Sequence, residues 1–150
     1  MKSMLLRTLA PLMIAALPMA AFAEETPLSI TIDGAVALQA STLAEGTLNE
    51  DQVQVLKDVA HQKSVVLTCE GLAIDDTRFA GVFEAAYPTD AEFDALDEAG
   101  QVHLRSVMML VLGTFLGGNL AIASTDAGAW CASAAAEKAQ ADGPNRIWAD

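Results

Sequence analysis

Basic residues are scarce in this chain: Lys and Arg number 8 against 20 Asp and Glu, a formal net charge of −12. So acidic a chain repels phosphate backbones, which argues against nucleic-acid binding. Strand signals are scarcer still. Only "EETPLSITID", with Leu28, Ile30 and Ile32 alternating against other residues, reads as extended, and one short stretch cannot build a sheet. Catalytic motifs are missing too: no G-x-S-x-G, H-E-x-x-H, G-x-G-x-x-G or P-loop lysine pattern occurs. The run Gly113-Thr-Phe-Leu-Gly117-Gly118 lacks the lysine and the preceding strand that phosphate binding needs. No internal repeat, linker or low-complexity run divides the chain. Nothing here supports an enzyme, a cofactor or a metal site.

What is present begins with an export signal. Lys2 and Arg7 form a basic n-region, Leu9 to Met19 is apolar but short, and Ala21-Phe22-Ala23 offers an A-x-A cleavage site. Residues 1–23 therefore read as a secretory signal peptide cut after Ala23, and the expected location is periplasmic or secreted. Residues 24–150, about 127 of them, are one domain's worth. Lys2 and Arg7 leave with the signal, so 6 of the 8 basic residues remain against 20 acidic ones, net −14. Titrating those carboxylates near pH 3, with His61 and His103 protonated, would reverse the sign.

Cysteine is limited to Cys69 and Cys131. In an exported chain an even pair reads as one disulfide, and neither residue has a second ligand at metal spacing. A loop of that size stabilises a fold by about 4 kcal/mol in the chain-entropy model.

Helical signals fill the rest. "GAVALQASTLAEG" is Ala-rich and ends at Gly46, with residues 24–48 expected as a loosely packed N-terminal arm. Asn49 is an N-cap ahead of Glu50 and Asp51, and Val55, Leu56, Val59, Lys63 and Val66 recur at helical spacing. Asp75 or Asp76 caps the stripe Phe79, Val82, Phe83 and Ala86, which Pro88 stops. Thr89 and Glu92 form a capping box, Phe93 and Leu96 face inward, and Gly100 ends or bends that segment. A last helix, capped near Asp126, closes at Gly143-Pro144, and Ile147 and Trp148 dock on the body. The expectation is an all-α bundle of about five helices with one disulfide.

Ser106 to Ser124, "SVMMLVLGTFLGGNLAIAS", carries no charge across 19 residues. Its length is borderline for a membrane span, and Gly113 with Gly117 makes G-x-x-x-G, a close-packing motif. A span would separate Cys69 from Cys131 and forbid their disulfide. The expected reading is a central helix packed on nearly all sides, its glycines admitting neighbouring helices. A domain this small rarely surrounds a helix completely, so part of that face is expected to meet another subunit or a client. Val107, Met108, Met109, Val111, Leu112, Phe115 and Leu116 are the candidate apolar interface.

Other polar candidates read as ordinary surface. His61 falls on the polar side of its helix, and His103 is a boundary histidine beside the apolar stretch. Asp90, Glu92, Asp94, Asp97 and Glu98 have calcium-loop composition, but Ala95 stands where the tight turn needs glycine, so a solvated acidic helix face is expected.

At "LTCEGLAIDD" the pattern Thr68-Cys69-Glu70, with an apolar residue two on, an acidic residue soon after and a helix next, resembles the HdeA/HdeB-like family of small periplasmic acid-stress chaperones. "LGTFLGGNLAIASTDAGAWCASA" is similar to the second half of that group, where a glycine-spaced helix precedes a second cysteine. The resemblance spans roughly Val65 to Lys138 and implies a secreted all-helical fold with Cys69 and Cys131 paired. It also implies a chaperone that needs no nucleotide. In that picture the apolar surface is covered at neutral pH, by dimerisation, and is released to unfolded clients near pH 2–3. Two other expectations stand beside it: an immunity-type protein binding a basic partner, and a membrane-associated subunit.

Overall fold

The computed structural model describes residues 28–140 and 145–150. The expected signal peptide and the Gly143-Pro144 stop lie outside them. The elements are α1 (Leu28–Ala44), α2 (Glu50–Thr68), α3 (Asp76–Ala85), α4 (Asp90–Asp94), α5 (Glu98–Thr125) and α6 (Ala127–Ala139). Among the described residues there is no strand, only an isolated antiparallel bridge between Ile74 and Trp148. The protein is an all-α bundle with one disulfide.

Local chemistry sets most helix starts. Asn49 accepts from the Gln52 N–H at 2.9 Å while Gln52 accepts from the Asn49 N–H at 3.0 Å, a capping box made of two amides. Gln52 Nε2 also donates to the Ala86 carbonyl, tying the start of α2 to the end of α3. The next four helices are capped differently. Asp75, Asp97 and Asp126 accept from the first-turn N–H groups of α3, α5 and α6, and Thr89 with Glu92 caps α4.

Two boundaries depart from the sequence expectation. The stretch Leu28 to Ile32 is helical, not extended, and opens a 17-residue α1. Its residues are apolar on most sides, so the short alternation fits either period, and packing against α5 decides for the helix. The loosely packed arm is accordingly a bundle helix over its described part, with Ala40 and Ala44 buried. The second departure concerns Gly100. It neither ends nor bends a helix but sits in the first turn of α5, its N–H donating to Asp97 at 2.7 Å. The break falls earlier, at Ala95 to Asp97, and α5 therefore runs 28 residues.

Two buried clusters hold the bundle. The larger joins α1, α2 and α5 through Ala40, Ala44, Leu56, Ala60, Leu104, Val107, Met108, Val111 and Phe115, with Ala86 beneath α3. Burying each large member stabilises the fold by roughly 1.5–3 kcal/mol. α1 packs tightly on α5 at Gly118, where an added methyl would collide with Val36. The smaller cluster gathers Val65, Cys69, Ala134 and Trp148. There the Cys69–Cys131 disulfide, Cα atoms 5.6 Å apart, joins α2 to α6.

Candidate functional site

α5 is where the bundle is incomplete. One face carries Leu104, Val107, Met108, Val111 and Phe115 into the large cluster. Among the described residues nothing covers the opposite face: Val102, Met109 and Leu110 are 55%, 58% and 56% exposed. Ser106, Gly113, Gly117, Ala121 and Ser124 lie along the same open strip, and from Ser106 to Thr125 the helix bears no charge. Among the described residues the helix is packed along one side rather than nearly all round: α1 and α2 are its main neighbours and α6 a lesser one.

This geometry sorts the residues expected as an apolar interface. Val107, Met108, Val111 and Phe115 are core residues, and Leu112 and Leu116 are half-buried at its margin. Only Met109 of the seven stands open, and the strip's other large members, Val102 and Leu110, were not singled out. The glycines sort in the same way. Among the described residues a methyl added at Gly113 or Gly117 meets nothing within 4 Å, and it is Gly118 that packs against a neighbouring helix. Which glycine faces α1 depends on the rotational phase of α5 against Val36, and a G-x-x-x-G spacing carries no information about that.

A second feature is a polar cleft of about 590 Å³ between α1, α2, α5, α6 and the C-terminal segment. His61 lines it, contrary to its expected place on a solvated face. Its Nε2 donates to Glu137 Oε2 at 2.8 Å, and its ring meets Trp130 edge-on at 5.2 Å. Gln62, buried beside it, donates to the Asn145 carbonyl at 2.7 Å and accepts from the Ile147 N–H at 2.8 Å. The Trp148 indole N–H completes the set by donating to the Gln62 carbonyl. Ile147 and Trp148 are buried, so the tail docks as expected, and Gln62 is the residue that sequence reasoning missed. Its partners in the tail lie more than 80 positions away, so no local signal marked it. Asp58, His61, Gln62, Glu137, Asn145 and Trp148 are tied together across the cleft, which joins the tail to α2 and α6.

Acidic groups hold the periphery. Arg78 pairs bidentately with Asp150, at 2.9 and 3.1 Å, and donates to the Trp148 carbonyl. Hydrogen bonding to Arg78, then its charge, holds the Asp150 carboxyl below the usual carboxylate range. Glu92 is lowered likewise, first by the Thr89 hydroxyl and then by the Thr89 N–H. Asp90, Asp94, Asp97 and Glu98 are exposed with it. Among the described residues no group of three or more His, Cys, Asp or Glu is arranged to hold a metal ion. His103 is exposed and hydrogen-bonded to Thr47 at 3.1 Å.

Among the described residues α5 is the one helix long and apolar enough to cross a membrane, and 33% of its most apolar window is buried in the bundle. Comparison of the chain with protein-family models, with curated proteins and with solved structures found no match.

Proposed function

We propose that the chain is an exported, non-enzymatic protein-binding protein that acts as an acid-stress chaperone. The observation that carries this reading is the uncharged, uncovered strip of α5. Apolar side chains exposed in a row are a contact surface, and Met109 adds a flexible side chain that adapts to varied clients. The Thr68-Cys69-Glu70 resemblance points the same way.

Acid supplies the second part. A carboxylate whose folded-state pKa is depressed stabilises the fold above its unfolded-state value and loses that contribution as pH falls through the folded-state value. Asp150 and Glu92 are such groups, so their contacts hold at neutral pH and fail in strong acid. With the carboxylates neutral, 6 basic residues and two histidines repel one another. The three-helix core persists while α3, α4 and the tail loosen, widening the apolar surface beside α5.

The test is aggregation of an acid-unfolded client at pH 2–3 with and without the mature chain. Protection that weakens in a Met109→Ser, Leu110→Ser variant is expected; no protection by the wild type ends the proposal. A second reading, a basic protein partner, is favoured by the exposed acidic run from Asp90 to Glu98. It requires salt-sensitive binding at neutral pH. A membrane role ranks behind both, because α2, with Glu50, Asp51, Lys57 and Asp58 outside its core face, lies along α5.

A further inference from the structure

The polar cleft of about 590 Å³ has a fixed floor and an uncommitted rim. Gln62, 6% exposed, gives both ends of its amide to the tail, at the Asn145 carbonyl and the Ile147 N–H. Two of the cleft's carboxylates are committed as well: Glu137 accepts from His61, and Asp58 accepts from Gln54 and Asn145. Asp33 on α1, Lys57 on α2, Asn119 on α5 and Gln140 at the end of α6 line the same space. Among the described residues none of these four side chains has a hydrogen bond or an ion pair.

Asn119 stands out. From Ser106 to Thr125 the other polar side chains, Ser106, Thr114, Ser124 and Thr125, each donate to a carbonyl of their own helix. Asn119 does not, and it is half-buried in a helix interior, where asparagine is a poorer residue than alanine. A carboxamide so placed calls for a partner. Lys57 raises the same question in charge: acidic residues outnumber basic ones 20 to 8, yet this half-buried ammonium is unpaired among the described residues.

We infer that the cleft binds a small zwitterion, an apolar amino acid or a short peptide, with its carboxylate on Lys57 and its ammonium on Asp33. Two opposite charges that line one cavity without meeting match a molecule that carries both. A plain anion meets Asp33, Asp58 and Glu137, and a plain cation meets Lys57 and Arg146; a ligand without net charge avoids both penalties. Asn119 and Gln140 offer amide donors and acceptors to its polar ends. Ile122, on the same face of α5 as Asn119, and the Trp130 ring receive the apolar side chain. Trp130 is held ready, its indole N–H donating to the Thr68 hydroxyl at 3.1 Å and its ring edge-on to His61. The volume falls within the range of small-molecule sites.

Both tryptophans of the chain line the cleft, so their fluorescence reports its occupancy. Leucine and leucyl-leucine are titrated into the mature chain at pH 7, with calorimetry as the second readout. At least one should bind saturably, and the tighter of the two distinguishes an amino-acid site from a peptide site. Lys57→Met and Asp33→Asn should each raise its dissociation constant at least about tenfold. The N-acetylated form of that probe should bind the wild type at least about tenfold more weakly, and Asp33→Asn should not weaken it further. Asn119→Ala should lose affinity while the melting temperature holds or rises, because Asn119 bonds nothing among the described residues. No saturable binding of either probe up to about 10 mM overturns the inference. So does binding indifferent to Lys57→Met and Asp33→Asn, or equal binding of the acetylated probe. A lowered melting temperature in Asn119→Ala also overturns it, by making that residue a structural one.

Discussion

Around Leu56 and Met108 the bundle is held by aliphatic volume, whereas around Trp148 it is held by a disulfide, an amide and an arginine clamp. The first region has no titratable side chain at its centre, so its stability comes from packing and changes little with pH. The second gathers few apolar side chains, and directional bonds from Gln62 and Arg78 fix a short tail that packing alone would not order. One region resists conditions and the other responds to them.

That contrast can be broken most forcefully at the staple. Replacing Cys69 and Cys131 by alanine should cost about 4 kcal/mol, since the bridge closes a 62-residue separation. Urea unfolding followed by Trp fluorescence and by helicity should lose its coincidence, the fluorescence transition coming first. In the other region, Leu56→Ala empties a fully buried site and should cost about 2–5 kcal/mol with both probes still moving together. Gln62→Ala strands the buried Ile147 N–H and should cost about 1–3 kcal/mol, with faster tail proteolysis. Gly118→Ala forces Val36 aside at about 1–3 kcal/mol, while Gly113→Ala, in open space, should stabilise by up to about 1 kcal/mol in thermal melts. The smallest effect belongs to Asp150→Asn. Near neutrality it changes little, but it should flatten the acid limb of the Trp148 fluorescence titration, because the lowered Asp150 carboxyl no longer titrates there.

Much of this fold was legible from local chemistry. Asn49, Thr89 with Glu92, and Asp126 announce helix starts through bonds made within three residues, and the cysteine pair announced the staple. What escaped reading depended on distant partners. The phase of α5 against Val36 decided which glycine is tight, and the alternation of Leu28, Ile30 and Ile32 could not reveal that α5 waits to receive a helix. Gly100 misled because a glycine after an acidic segment resembles a stop, while the true signal was Asp97 three residues earlier. His61 was read as solvated because its partner, Glu137, is 76 positions away. The uncharged stretch was recognised as a helix, but its division into covered and open faces is set by how many neighbours a chain of this length supplies.

Among the described helices α2 alone enters both clusters, giving Leu56 and Ala60 to one and Val65, with the capping Cys69, to the other. In amide hydrogen exchange, the tail and α6 should open as a unit of their own. The middle of α2 should exchange only when the entire molecule unfolds, and its slowest amides therefore report the global stability directly.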